Sequence, residues 1–162
     1  MNIPILTYQK IDLAYLLSIA HHPQSGAVVL FSGEARASNL GKEVSSLFFE
    51  AFEPMAVSLI EDILQKAIKE FGLNFACCQH KLGSVAISES AVAVITTASH
   101  RKEAYEANQY IMHRLKHEVP IWKRETFTDG TVLWGNNCNC PDPLNHIPYT
   151  SSLLSLVNGN AT

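Results

Sequence analysis

The sequence has no apolar run approaching the roughly 18–20 uncharged residues that a membrane-spanning helix needs. Its first residues, MNIPILTYQKID, lack a basic stretch leading into an apolar one. Neither a membrane span nor an export leader is expected, and a cytoplasmic location follows as the expectation. Cysteine is scarce: Cys77 and Cys78 are adjacent in an apolar run, and Cys138 and Cys140 sit in a polar tail, so no disulfide framework is expected and a reducing compartment is the simpler setting. There is no cationic excess, because 12 Lys and Arg stand against 15 Asp and Glu for a net charge of −3. Non-specific attraction to nucleic acid is therefore disfavoured, and no nucleic-acid module is recognisable. Gly26, Gly33 and Gly41 fit neither a P-loop nor a dinucleotide fingerprint, so ATP or NAD chemistry has no support and no cofactor is expected.

What is present is a chain of 162 residues, 47% hydrophobic and 17% charged, the profile of one packed domain. Residues 3 to 8 read as a short strand, and Asp12 can cap a helix carrying Ala14, Leu16, Leu17 and Ile19 that ends at His21-His22-Pro23. Gly26 to Phe31 is apolar on both faces and reads as a central strand, followed by a polar loop from Glu34 to Val44. A strand over 45–53 leads to Pro54, which opens a helix whose stripe of Ala56, Leu59, Ile60, Ile63, Leu64, Ala67 and Ile68 ends at Gly72. Strands are expected over 74–82 and 91–98, with a turn at Gly83, then a helix from about Ser99 to Val119-Pro120, and a hairpin over 121–134. Strands alternating with two or three helices give a two-layer α/β, or α+β, fold. Residues 1–134 are read as the domain and 135–162, rich in Pro and Asn, as an appendage of unknown role.

Charge is concentrated between His100 and Arg124, where six Lys and Arg face three Glu. On a helix beginning near 100, Lys116 leaves beside the apolar face of Ala104, Ala107, Ile111 and Leu115. Pro120 turns the chain back, so that Lys123 can converge on the same pocket. Two ammonium groups held together depress each other's proton affinity, which suits proton transfer or attack on a carbonyl. The same spacing also suits a solvated basic face with a lysine favoured at the helix C-terminus. Arg36, in the polar loop, can grip phosphate or carboxylate through two parallel hydrogen bonds or be an ordinary surface arginine. His100-Arg101 at a helix start fits phosphate binding, and a structural histidine equally. His80-Lys81, at a strand end, can line that pocket or face water. Cys138, Cys140 and His146 supply three candidate ligands where a structural zinc site takes four at wider cysteine spacing, so no metal is expected.

Gly26-Ala27-Val28-Val29-Leu30-Phe31-Ser32-Gly33, followed by Arg36, Asn39, Gly41, Leu47, Glu50 and Met55-Ala56, resembles the first half of the large, catalytic subunit of molybdopterin synthase. His80-Lys81-Leu82-Gly83, Ser99-His100-Arg101, Leu115-Lys116, Val119-Pro120-Ile121-Trp122-Lys123-Arg124-Glu125, Asp129-Gly130 and Trp134 are similar to that family's second half. The resemblance covers about residues 3 to 134 and implies an α/β hammerhead region joined to a ferredoxin-like part. It implies a homodimer at the core of a heterotetramer, with a small ubiquitin-like sulfur carrier at each end whose C-terminal Gly-Gly thiocarboxylate enters the pocket. Two sulfurs would be placed on cyclic pyranopterin monophosphate to make the molybdopterin dithiolene. Lys116 and Lys123 would be catalytic; Arg36, His100, Arg101 and Lys81 would bind substrate. The chain departs from the family pattern in Lys81 where Arg is common, Ala35 where Val is common, Ser88 where Gly is common, and His113 where an acid is usual. A carrier-binding scaffold of the same fold without activity is the alternative, against which the presence of both lysines speaks.

Overall fold

The computed structural model describes residues 3–136. Residues 135 and 136, read as the start of the appendage, belong to the last strand, and the rest of it, including the Cys138, Cys140 and His146 reading, lies outside the described residues. In chain order the elements are β1 (Leu6–Thr7), α1 (Leu13–Ser18), β2 (Ala27–Glu34), β3 (Ser38–Asn39), β4 (Lys42–Ala51) and α2 (Glu53–Phe71). There follow β5 (Phe75–Lys81), β6 (Gly83–Val85), β7 (Ser90–Ala98), α3 (Arg101–Glu118), β8 (Ile121–Phe127) and β9 (Val132–Asn136). Local chemistry sets the helix ends. The Asp12 carboxylate accepts the Tyr15 N–H to start α1, Pro54 sits in the first turn of α2, and Gly72 ends α2 at φ 62°, a conformation that suits a residue without Cβ. α3 stops at Val119, in extended backbone, directly before Pro120.

Two sheets result, an α+β arrangement as expected. The first has the order β1-β5-β7-β2, with β1 parallel to β5 and the other pairs antiparallel. The second has the order β3-β4-β8-β9 with β6 also paired to β4, and is antiparallel throughout. All nine residues of β7 are buried, because the strand is covered on both faces. Alternation divides its side chains: Val92, Val94 and Ala98 join the main core beneath α2 and α3, while Ala93 and Ile95 pack with Leu16 of α1 and with Cys77. Its two threonines follow the same division. Thr96 donates to the Ala104 carbonyl of α3 at 2.7 Å and Thr97 to the Ala20 carbonyl behind α1 at 3.0 Å, so neither hydroxyl is left unpaired in the core. Asn108 ties α3 to the sheet in the same way, donating to the Val94 and Val29 carbonyls.

The structure revises three local expectations. Only Leu6–Thr7 of residues 3–8 is strand. The polar loop 34–44 folds into a hairpin, since Leu40 and Gly41, at φ 52° and 74°, form the two-residue turn with successive positive φ that joins β3 to β4. Gly83 begins β6 as well as turning the chain. A further tight turn runs from Ala86 to Glu89, closed by the Glu89 N–H on the Ala86 carbonyl at 3.0 Å. Its third residue is Ser88, at φ 65°, the position of such a turn that favours glycine. The Glu89 carboxylate completes the turn by accepting from the Ala86 N–H at 2.8 Å and from Lys81 Nζ at 2.6 Å.

Two outcomes follow for stability. Ser88→Gly removes a left-handed side chain that costs about 1–2 kcal/mol but makes the unfolded chain freer by about 0.5–1 kcal/mol, so denaturant unfolding should report a net gain of about 0.5 kcal/mol. A loss would contradict the strain at Ser88. The Lys81 ammonium, followed by the Ala86 N–H, holds the Glu89 carboxyl below its ordinary range. A carboxyl with a depressed folded-state pKa stabilises the fold above the unfolded pKa and loses that contribution as pH falls through the folded value. Glu89→Gln should therefore lower stability by roughly 2 kcal/mol at pH 7, and melting curves of the two proteins should converge on acidification below about pH 4.

Candidate active site

A pocket of about 270 Å³ opens where the two sheets meet the end of α3. Its wall is partly apolar, from Phe31, Leu47, Phe49, Val92, Met112 and Leu115, and partly charged, from Glu34, Arg36, Lys116, Lys123 and Glu125. Gly33 helps to keep it open. A Cβ at that position would stand 2.8 Å from Val92 Cγ1 and 3.2 Å from the Phe31 ring, closer than side chains tolerate without movement.

Each cation reaches the pocket for a local reason. Lys116 lies in the last turn of α3, where positive charge is favoured, and its neighbour Leu115 is fully buried, so the lysine leaves at the edge of the core. Val119-Pro120 ends the helix and passes the chain directly into β8. Along β8 the inward residues are Ile121, Lys123, Glu125 and Phe127, so the period of two that buries the isoleucine and phenylalanine also turns Lys123 and Glu125 inward. Arg36 stands on the segment between β2 and β3 and is exposed at the rim.

The three cations differ in what holds them. Lys123 Nζ donates to Glu125 Oε1 at 3.1 Å, and the other oxygen of that carboxylate accepts from Asn39 Nδ2 at 2.6 Å. Glu125 is only 6% exposed, so both of its oxygens are engaged by groups of the chain itself. Arg36 and Lys116 make no hydrogen bond or ion pair among the described residues. They are the cationic groups of the pocket left to meet an anion. His80 faces the same space, in edge contact with Phe49 at 5.0 Å between ring centres. Burial lowers its pKa to about 4, and its Nδ1 lies 2.9 Å from the Lys81 carbonyl. The ring is therefore neutral at pH 7, with Nδ1–H as donor and Nε2 as its open acceptor.

Of the six residues singled out from the sequence, Arg36, Lys116 and Lys123 are brought together in this pocket, and Lys81, His100 and Arg101 are not among its lining residues. Lys81 follows His80 on β5, so the strand's alternation points it away, into the ion pair with Glu89. His100 and Arg101 begin α3, about 22 Å from Lys116 along the helix axis at ~1.5 Å per residue. His113 stacks on His117 at 4.3 Å between ring centres. Of the His80-Lys81 pair it is His80 that lines the pocket, Asn39 of the polar loop reaches Glu125, and Glu125 itself is the site residue that sequence reasoning missed. Glu125 had a usable signal, a glutamate in register with Ile121 and Phe127 on an otherwise apolar strand face.

Comparison with known proteins supplies the family. The family model described as MoaE protein matches residues 6–118. The molybdopterin synthase catalytic subunit of Thermoplasma volcanium is 33% identical over 129 residues, covering 80% of this chain and 94% of that protein. The crystal structure of molybdopterin synthase from Staphylococcus aureus superposes with a TM-score of 0.76 at 31% identity, over 80% of this chain and 94% of that one. A complex of subunits 1 and 2 of molybdopterin-converting factor from Helicobacter pylori includes a chain that matches with a TM-score of 0.67 at 25% identity, over 80% of this chain and 88% of that one. The chain belongs to the molybdopterin synthase catalytic subunit family, enzymes of molybdenum cofactor biosynthesis.

Proposed function

We propose that this chain transfers sulfur from the C-terminal thiocarboxylate of a small ubiquitin-like carrier onto cyclic pyranopterin monophosphate, forming the molybdopterin dithiolene. The observation that carries the reading is the meeting of Arg36, Lys116 and Lys123 around one partly apolar pocket, in a chain whose family makes this product. A two-subunit complex among its structural neighbours supports a small partner. The substrate brings a phosphate and the carrier brings an anionic terminus, and Arg36 and Lys116 are the pocket cations without a partner among the described residues. Each transfer makes one carbon–sulfur bond on the substrate in place of a carbon–oxygen bond there, whose oxygen leaves as water or as the freed phosphate oxygen, and breaks the acyl carbon–sulfur bond of the carrier, whose acyl carbon takes oxygen from water and leaves as a carboxylate. Negative charge grows on the acyl oxygen as water adds. Lys116 and Lys123 stabilise that charge and move the protons. His80, neutral, offers an acceptor at the pocket wall without adding charge.

His100 and Arg101 keep their proposed role in substrate binding through assembly. At about 22 Å along α3 from Lys116 they are beyond the pocket of their own chain. In a homodimer they are available to the pocket of the second copy or to the carrier terminus. Lys81 keeps a substrate-binding role only if the Glu89 pair opens.

The test is single-turnover conversion of cyclic pyranopterin monophosphate by the purified chain with thiocarboxylated carrier, with product detected by mass. Conversion supports the transferase. Carrier binding without conversion, with thiocarboxylate and substrate verified, supports an inactive scaffold. Lys116→Ala and Lys123→Ala should each slow the reaction by about 10²–10⁴-fold, the range for a lost proton-transfer group, while carrier binding persists. Normal turnover in either variant would remove that lysine from the mechanism. Arg36→Ala should instead raise the substrate concentration for half-saturation by about tenfold, the equivalent of one charge-assisted hydrogen bond. Unchanged saturation would reject its role.

A further inference from the structure

Glu125 is a buried carboxylate whose two oxygens are divided between two elements. Oε1 takes Lys123 of its own strand at 3.1 Å, and Oε2 takes Asn39, the last residue of β3, at 2.6 Å. Asn39 opens the Leu40-Gly41 turn, and Arg36 lies three residues before it on the same segment. The hairpin is also held at its other strand, where Lys42 Nζ donates to Asp129 Oδ2 at 2.8 Å in an exposed pair. That second tether touches neither Glu125 nor Lys123. We infer that Asn39 is a positioning residue: its amide fixes the plane of the Glu125 carboxylate, and through it the place of the Lys123 ammonium relative to Arg36. This rests on the functional reading above for its effect on rate, and on geometry alone for its effect on Lys123.

The physical reason is the scarcity of donors at Glu125. A carboxylate that is 6% exposed cannot turn to bulk water when one donor is removed. Without the Asn39 amide, both oxygens compete for Lys123, and the carboxylate rotates to hold the ammonium more closely, out of the pocket. The predicted consequence is a slower reaction with little change in substrate affinity, because Arg36 and Lys116 are untouched.

Two readouts test this. In the first, the full chain is acetylated with a water-soluble active ester and modification is followed peptide by peptide. Asn39→Ala should slow labelling of Lys123 several-fold relative to Lys116; an unchanged ratio overturns the inference whatever the activity. In the second, single-turnover rates are measured with carrier and substrate. Asn39→Ala should lower the saturated rate by about tenfold or more, the scale of a small misplacement of a reacting group, with half-saturation within about twofold. Lys42→Ala, which loosens the hairpin elsewhere, should leave the rate near wild type, and a matching loss in Lys42→Ala would make Asn39 a hairpin anchor and overturn the inference.

Asn39→Asp adds the sign. Its carboxyl can donate to Glu125 when protonated and repels it when ionised, so its rate relative to wild type should rise as pH falls, whereas that of Asn39→Ala should not. Glu34 at the end of β2, Arg36 on the segment after it, Lys116 on α3, His80 on β5 and Lys123 on β8 face the pocket in every variant, and taking the ratio to wild type separates their titration from that of residue 39. A flat ratio for Asn39→Asp overturns the inference. A wild-type chain that converts no substrate rejects the functional reading instead, and the labelling ratio then decides the positioning by itself.

Discussion

The exit from α3 into β8 is the constraint on which the site depends. Pro120 carries no N–H, so it cannot donate to the carbonyl of Lys116 as the next helical residue would, and its ring pushes Val119 into extended backbone. The helix therefore stops two residues after it has delivered Lys116, and the strand starts at once. The Pro120 carbonyl accepts the Phe52 N–H at 3.2 Å, which fixes the corner against the start of α2. Lys123 follows on the inward face of β8 because Ile121 must be buried. A longer connection would leave the two lysines on independent elements. With this one, their separation is set by two residues of helix, the Val119-Pro120 corner and two residues of strand.

Charge at the site is arranged by commitment rather than by number. The protein is acidic as a whole, yet the pocket gathers three cations against two carboxylates. Lys81, adjacent in sequence to a pocket residue, is taken out of service by Glu89, and Lys123 is held by Glu125. Arg36 and Lys116 have no such partner among the described residues. Cations without internal partners are poorly explained by stability, since a charged side chain stabilises the fold chiefly through a partner it can hold. They are well explained by a ligand that brings the missing negative charge. The apolar share of the wall strengthens that attraction by lowering the local dielectric.

Most of the framework could be read from the residues. The stripe of α2 from Ala56 to Ala67, the stop at Gly72, the buried run of β7 and the α3–Pro120–β8 corner are all local patterns, and local patterns survive folding. The convergence of Lys116 and Lys123 was readable because only six residues lie between them and one is a proline. What escaped was non-local. The β3–β4 hairpin lacked the usual Asn-Gly signature, since Leu40 occupies the first positive-φ position. Which of His80 and Lys81 meets the pocket depends on how two sheets pack, and no pattern within β5 states that. His100 and Arg101 resemble a phosphate site locally, but a helix of 18 residues carries its two ends far apart.

Glu125 shows how the two kinds of information combine. A glutamate between Lys123 and Phe127 on an inward strand face is an inconsistency at the sequence level, a charge where apolar packing is demanded. Burying it alone would be prohibitive. The fold resolves the conflict by bringing a lysine from the same strand and an amide from a hairpin 86 residues earlier in the chain. Such a solution is expensive in specificity, because two elements must be registered to within hydrogen-bond distance. An apolar residue would meet the needs of packing with fewer conditions. The persistence of a carboxylate there is therefore better explained by what it does to Lys123 than by what it adds to the core. A strand that must both close a hydrophobic interior and present a fixed ammonium to a pocket needs one buried anion, and position 125 is the nearest inward site that can supply it.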